Sequence, residues 1–205
     1  MCIGGEQQNL ILEQQQQEIK QCQKYKYLDM HITNDGSLDE EIKCRNNQRR
    51  QAIRQLNSIL WDQAVSTENK HKIYNSIVKT IISYVSEVWP LKKRILKLHE
   101  ATEMDFWRRA AGESKLDRVR NERIQNIMGV KHRISEDTKI NQPRWYGHVQ
   151  RMEESRIPKK ILNWTPQGKR KRGRPRRSWR EGIDDNLWTD RDQWRLEIRR
   201  RRRTL

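Results

Sequence analysis

Nine consecutive residues, Lys169, Arg170, Lys171, Arg172, Gly173, Arg174, Pro175, Arg176 and Arg177, carry seven cations and no acid. The chemistry open to such a run is capture of a polyanion by charge-assisted hydrogen bonds from ammonium and guanidinium groups. Gly173 and Pro175 keep its backbone extended, because glycine weakens helix and proline disfavours the helical region for the residue before it. No comparable grouping supports catalysis. His31, His71, His99, His132 and His148 form no motif with a nucleophile or a metal partner. Cys2, Cys22 and Cys44 show no CxxC or Cys/His spacing, so neither a disulfide framework nor a structural zinc site is supported. The acidic pairs Asp184-Asp185 and Asp190 with Asp192 lie beside the basic tail, where charge balance or helix capping is their ordinary role.

The core Arg172-Gly173-Arg174-Pro175 resembles an AT-hook, in which arginines lie along the narrow minor groove of A·T-rich DNA. The plainer alternatives are a nuclear import signal or a solvated basic linker. Composition favours a polyanionic partner over a small-molecule substrate: the formal net charge is +17 and the isoelectric point about 10.1. The charge is uneven. From Gln167 onward fifteen Lys/Arg face six Asp/Glu, and Arg199, Arg200, Arg201, Arg202 and Arg203 are consecutive. Hydrophobic residues make up only 33%, which predicts helical modules with thin cores and polar tails. The eight tryptophans are expected to plug those cores, with base stacking the sharper alternative and Trp179, beside the basic run, the best placed for it. The most apolar stretch, Ile73 to Trp89, is interrupted by Asn75, Lys79 and Glu87 and is too polar to span a bilayer. With no secretory signal ahead of it, an intracellular, reduced protein that does not enter a membrane is expected.

These groups need elements to position them. The alternation Tyr25 to Thr33 predicts a strand, and the glutamine-rich Glu13 to Glu18 an exposed turn or hairpin edge. Asn34-Asp35-Gly36 supplies a turn, and Ser37 with Glu40 a capping box opening a helix. The stripe of that helix is clean only from Ala52 through Ile53, Leu56, Ile59 and Leu60; Arg45 and Arg49 stand where aliphatics are usual. A second helix runs from Ser66, with Ile73, Tyr74, Ile77, Val78, Ile81, Ile82, Val85 and Val88 on one face, to Pro90. A third carries Ile95, Leu98, Ala101, Phe106 and Ala110 and stops at Gly112. Asn121 caps a short helix ending at Gly129. Pro143 suits the first turn of another, with Trp145, Val149 and Met152 on one face and Arg144, His148 and Arg151 off it. Two last helices follow, with Trp179, Ile183 and Leu187 and then Trp194 and Ile198.

Several strings together resemble the carboxyl-terminal part of a non-LTR retrotransposon endonuclease–reverse transcriptase. They are Tyr25-Lys26-Tyr27-Leu28, Asp35-Gly36-Ser37-Leu38, Tyr84-Val85-Ser86-Glu87-Val88-Trp89 and Glu103-Met104-Asp105-Phe106-Trp107-Arg108-Arg109. Further on come Leu116-Asp117-Arg118-Val119-Arg120-Asn121, Trp145-Tyr146-Gly147-His148-Val149-Gln150-Arg151-Met152, and Gly173-Arg174-Pro175 followed by Trp179. The similarity covers nearly the whole chain in one order. It implies a primer-grip hairpin, a helical thumb riding on the template–primer duplex, and a basic region that holds template RNA or target DNA in the nucleus. Backbone contact suits such a module, because it must tolerate any sequence.

The expected architecture is mainly α. A short β-hairpin remnant occupies 1–34, a three-helix thumb-like bundle 35–112 and small helices 113–163. A basic AT-hook-like linker covers 164–178, and 179–205 holds terminal helices with a partly disordered arginine tail. Expected nucleic-acid contacts are Lys169 to Arg177, Trp179, Arg199 to Arg203, and a second patch of Arg108, Arg109, Arg118 and Arg120. The chain departs from the family at Asp29 and Val85, where glycine is usual, at Asn46, where an aliphatic is usual, and at Pro143, where leucine is. In the family the polymerase palm holds magnesium on a Tyr-x-Asp-Asp turn upstream of the primer grip, and the endonuclease is a separate domain. Neither motif occurs in this sequence, so the expectation is a noncatalytic nucleic-acid-holding segment without a cofactor, with the palm as a possible partner. The rival expectations are an AT-hook DNA-binding protein derived from the element, or a degenerate reading frame with no function.

Overall fold

The computed structural model describes residues 10–12, 17–19, 22–90, 92–130, 133–164, 179, 183 and 191–204. The chain opens with two antiparallel hairpins. Strands β1 (Leu10–Leu12) and β2 (Gln17–Ile19) pair with Leu10 opposite Ile19. Strands β3 (Lys24–Tyr27) and β4 (Met30–Thr33) pair with Tyr27 opposite Met30. The single strand expected over Tyr25 to Thr33 is therefore a hairpin folded at Leu28-Asp29, whose φ values of 45° and 64° make a type I′ turn. The reversal is hidden in the sequence because the turn lacks the glycine or asparagine that usually marks it. Asp29 supports the left-handed turn and ion-pairs with Lys26 at 2.7 Å and Arg45 at 3.2 Å.

Helix α1 (Asp39–Gln55) begins just after Ser37, but without the expected capping box. The Ser37 hydroxyl accepts from the Asp39 N–H at 3.2 Å, and Glu40 turns outward to Lys43. The two arginines that interrupt the apolar stripe of α1 are buried, Arg45 at 6% and Arg49 at 0% exposure. Arg45 donates to Glu41 at 2.6 Å, and Arg49 reaches the backbone carbonyl of His99. Asn46 is buried too, accepting the Thr102 hydroxyl at 2.9 Å.

A short helix α2 (Asn57–Trp61) leads to α3 (Thr67–Ile73), capped by the Ser66 hydroxyl as expected. One π-helical turn (Tyr74–Val78) carries the chain into α4 (Lys79–Ser83). The predicted continuation to Pro90 fails at Val85, which adopts a left-handed conformation (φ 57°, ψ 12°) before a 3₁₀ turn at Ser86–Val88. A β-branched side chain is costly there, about 1–2 kcal/mol for any non-glycine residue. We therefore expect Val85→Gly to raise the urea unfolding midpoint, with a net gain of about 1 kcal/mol after glycine's added chain entropy. An unchanged or lower midpoint would contradict the strain.

Helix α5 (Lys93–Ala110) matches its expected span and ends at Gly112 with φ 75°. Its buried face carries Ile95, Met104, Phe106, Trp107 and Ala110 together with His99 and Glu103, whereas Ala101 faces solvent. Helix α6 (Asn121–Met128) ends at the left-handed Gly129. The buried Lys70 ammonium caps the Ala110 carbonyl at 2.9 Å, and a His71 ring nitrogen lies 2.6 Å from the Met128 carbonyl. One core joins Ile53, Leu60, Tyr74, Val78, Phe106 and Trp107 to Ile124 and Met128, so the packing of the 35–112 bundle runs on across Gly112 into α6.

Helix α7 (Ile134–Gln150) begins well before the start suggested by Pro143 and carries that proline in its interior. An interior proline costs about 3 kcal/mol. Tertiary packing outweighs it, because α7 is anchored in two places. Ile134 joins Ile42, Ile82, Trp89 and Ile95 in a second core, and Ile140 and Tyr146 belong to a third. Between them Gln142 donates to the Trp89 carbonyl at 2.7 Å. Helix α8 (Ile157–Asn163), with Pro158 in its first turn, packs Leu162 on the third core. Helix α9 (Arg191–Thr204) completes that core with Trp194 and Ile198. The consecutive arginines Arg199 to Arg203 lie within α9, not in an irregular tail. The fold is mainly helical behind short antiparallel hairpins, as expected. No helix among the described residues is long and apolar enough to cross a membrane.

Candidate nucleic-acid interface

The third core sets α9 against α7 at close range. Gly147 makes the approach possible: the edge of the Trp194 indole lies where a Cβ at position 147 would project, with Cδ1 and Cε2 each 2.8 Å from it. With Trp194 and Ile198 facing inward, the rest of both helices borders a cleft of about 940 Å³. Helix α7 contributes Arg144 and His148, and its C-terminal cap Arg151, at steps of four and three. Helix α9 contributes Arg191, Arg195 and Arg199, at steps of four. Residues so spaced share one helix face, so two cationic faces meet across one cleft.

Cations outnumber carboxylates among the described residues of the cleft. Among the described residues bordering the cleft, Glu87 is the sole carboxylate against five guanidinium groups. Arg195 approaches Asp192 at 3.5 Å, while Arg144, Arg191 and Arg199 make no ion pair with another described residue. Desolvation, followed by repulsion from Arg191 and Arg195, holds the Arg151 guanidinium below its ordinary pKa. Crowded like charges are relieved by a bound anion, and guanidinium forks match phosphate oxygens in geometry. Trp145, half-buried beside the His148 ring at 5.7 Å between centroids, stands in the same cleft.

The residues singled out by sequence are scattered. Lys169 to Arg177 lie outside the described residues. Arg199 borders the cleft, Arg200 is exposed one position on, and Arg201, Arg202 and Arg203 continue the same helix. Trp179 donates its indole N–H to the Glu87 carbonyl at 2.8 Å and tilts against Tyr146, so its polar edge is engaged within the chain. Arg108 binds the Val119 carbonyl and the Asn121 side chain, and Arg109 binds Asp105 and Asn57. These two arginines tie α5 to neighbouring segments, whereas Arg118 and Arg120 are exposed. No group of three or more His, Cys, Asp or Glu among the described residues could hold a metal ion.

Arg144, Arg151, Arg191 and Arg195 were missing from the sequence-based site. Their spacing was legible, but each series read alone is the solvated face of an amphipathic helix. The signal that would have paired them is Gly147, a small residue beside the buried Tyr146 on the very turn where Trp194 docks. Comparison with protein-family models, with curated proteins and with solved structures finds no match.

Proposed function

We propose that this chain is a noncatalytic nucleic-acid-holding segment, of the kind found at the carboxyl end of non-LTR retrotransposon reverse transcriptases, and that it acts in the nucleus. The observation that carries the reading is the meeting of five arginines from α7 and α9 in one cleft opposite a single described carboxylate. The net charge of +17 supplies the long-range attraction. The family part of the reading gains support from the backbone. Asp29 and Val85, the positions at which that family carries glycine, both adopt left-handed φ, the conformation glycine serves. The carboxylate at Asp29 is neutralised within the chain, so it does not stand as a free charge against a nucleic-acid backbone.

Binding of this kind displaces counterions. With about six phosphates neutralised on duplex DNA, log affinity should fall against log salt with a slope of roughly −5. Fluorescence anisotropy of the full chain with labelled duplex DNA over a range of sodium chloride concentrations measures it directly. A slope near zero would remove the electrostatic reading.

A further inference from the structure

A nucleotide is amphipathic, with an anionic phosphate at one end and a flat apolar base at the other. The surroundings of Trp145 have the same division. Its side chain borders both the arginine cleft and an apolar pocket of about 340 Å³ formed with Val88, Val149, Ile161, Leu162 and Trp179. The outer edge of this pocket is open, since Ile157, Ile161 and the nearby Trp164 are each about two-thirds exposed. Large exposed apolar groups in so cationic a region mark a contact surface. The volume of the arginine cleft falls in the range of small-ligand sites, roughly 300–1,000 Å³, and a paired base is not free to leave its stack for an aromatic side chain.

Resting on the nucleic-acid reading above, we infer that the two clefts bordered by Trp145 bind an unpaired strand, with successive phosphates on Arg144, Arg191 and Arg199 and a base stacked on the Trp145 indole. The arginines supply affinity without regard to sequence, and the tryptophan discriminates an unpaired base from a duplex. Stacking on an aromatic side chain is sequence-tolerant, because every base has a π-face.

The experiment titrates the full chain with three labelled ligands at one moderate salt concentration: a short oligothymidylate, an abasic strand of the same length, and a mixed-sequence duplex. The wild-type chain should bind the oligothymidylate about tenfold more tightly than the abasic strand. Trp145→Ala should abolish that difference, weakening oligothymidylate binding about tenfold relative to the abasic strand. Arg191→Glu, at an exposed position outside the core, should weaken both single strands about tenfold or more. Equal wild-type affinity for the oligothymidylate and the abasic strand overturns the stacking role without reference to any variant. Duplex binding without oligothymidylate binding overturns the inference and leaves the broader reading standing, whereas failure to bind any of the three overturns both.

Discussion

Gly147→Ala is expected to release α9 from α7 and to weaken single-strand binding about tenfold. In an exposed helix this substitution would stabilise, because alanine exceeds glycine in helix propensity by about 1 kcal/mol. Here the added methyl would enter the Trp194 indole, which is 2% exposed and packed with Ile140, Tyr146 and Ile198. The rigid bicyclic ring cannot bend away from the methyl. Relief must come from moving the helix that carries it, and overpacking of this kind costs about 1–3 kcal/mol. Trp194 and Ile198 are the buried anchors of α9, so displacing one undermines the helix, and Arg191, Arg195 and Arg199 leave their places opposite Arg144 and Arg151. Hydrogen exchange should show faster exchange of the α9 amides while α5 and α6 keep their protection. The double variant with Trp194→Leu should recover part of that protection, because the smaller side chain vacates the space. Slow α9 exchange in Gly147→Ala would show that the close approach does not lock the pair.

The cleft and the bundle were unequally legible in the sequence. Helices α5 and α6 could be placed because periodic apolar residues end at Gly112 and Gly129, and both glycines do adopt the left-handed conformation that stops a helix. The break at Val85 could not. A valine inside an isoleucine-rich run signals strand or helix, and no local propensity marks a reversal imposed by packing on either side. Pro143 misled in the opposite sense: a proline usually marks a first turn, but here the helix is held at both ends by separate cores. Arg45 and Arg49 lay on the apolar face and were noted as anomalies. Glu41, one turn earlier on the same helix, was a legible partner for Arg45; the others come from elsewhere in the chain, Asp29 for Arg45 and the carbonyl of His99, fifty residues away, for Arg49. The arginine cleft follows the same rule. Each half is visible as a spacing, but their meeting depends on a contact between Gly147 and Trp194 that one-dimensional periodicity does not encode.

The buried network around Glu41 should dominate the docking of the β3–β4 hairpin. Glu41 is 1% exposed, and accepts from Arg45 at 2.6 Å and from the His31 backbone N–H at 2.7 Å, with the His31 ring at 3.1 Å. Tyr84 adds a bond from its hydroxyl to the Leu28 carbonyl, and its ring lies 4.4 Å beneath the Arg45 guanidinium. Removing one member of a buried ion pair costs roughly 3–5 kcal/mol. Glu41→Gln should fall near 3 kcal/mol, because Asp29 still faces Arg45 and the amide oxygen still accepts one bond. Burial pushes the Glu41 carboxyl up, but the bonds from Arg45 and His31 outweigh it and hold the group below its ordinary 4.5. Its contribution is therefore complete above pH 4.5 and is lost as pH falls through the lowered value. His99 acts in a higher window. Burial, then the charge of Arg49, pushes its ring from 6.5 down to about 3, so the native state holds it neutral while the unfolded chain takes a proton. Stability from that source declines as pH falls from 6.5, by about 2 kcal/mol at pH 5. The two causes separate by variant. Urea unfolding of Glu41→Gln should keep the decline between pH 6.5 and 5 and lose part of the steeper decline below 4.5. His99→Phe, which preserves the stacking on Trp89, should flatten the upper window and leave the lower one. If Glu41→Gln instead flattens the upper window, or costs under about 1 kcal/mol at neutral pH, the hairpin is held by Tyr84 and the strand pairing rather than by the buried carboxylate.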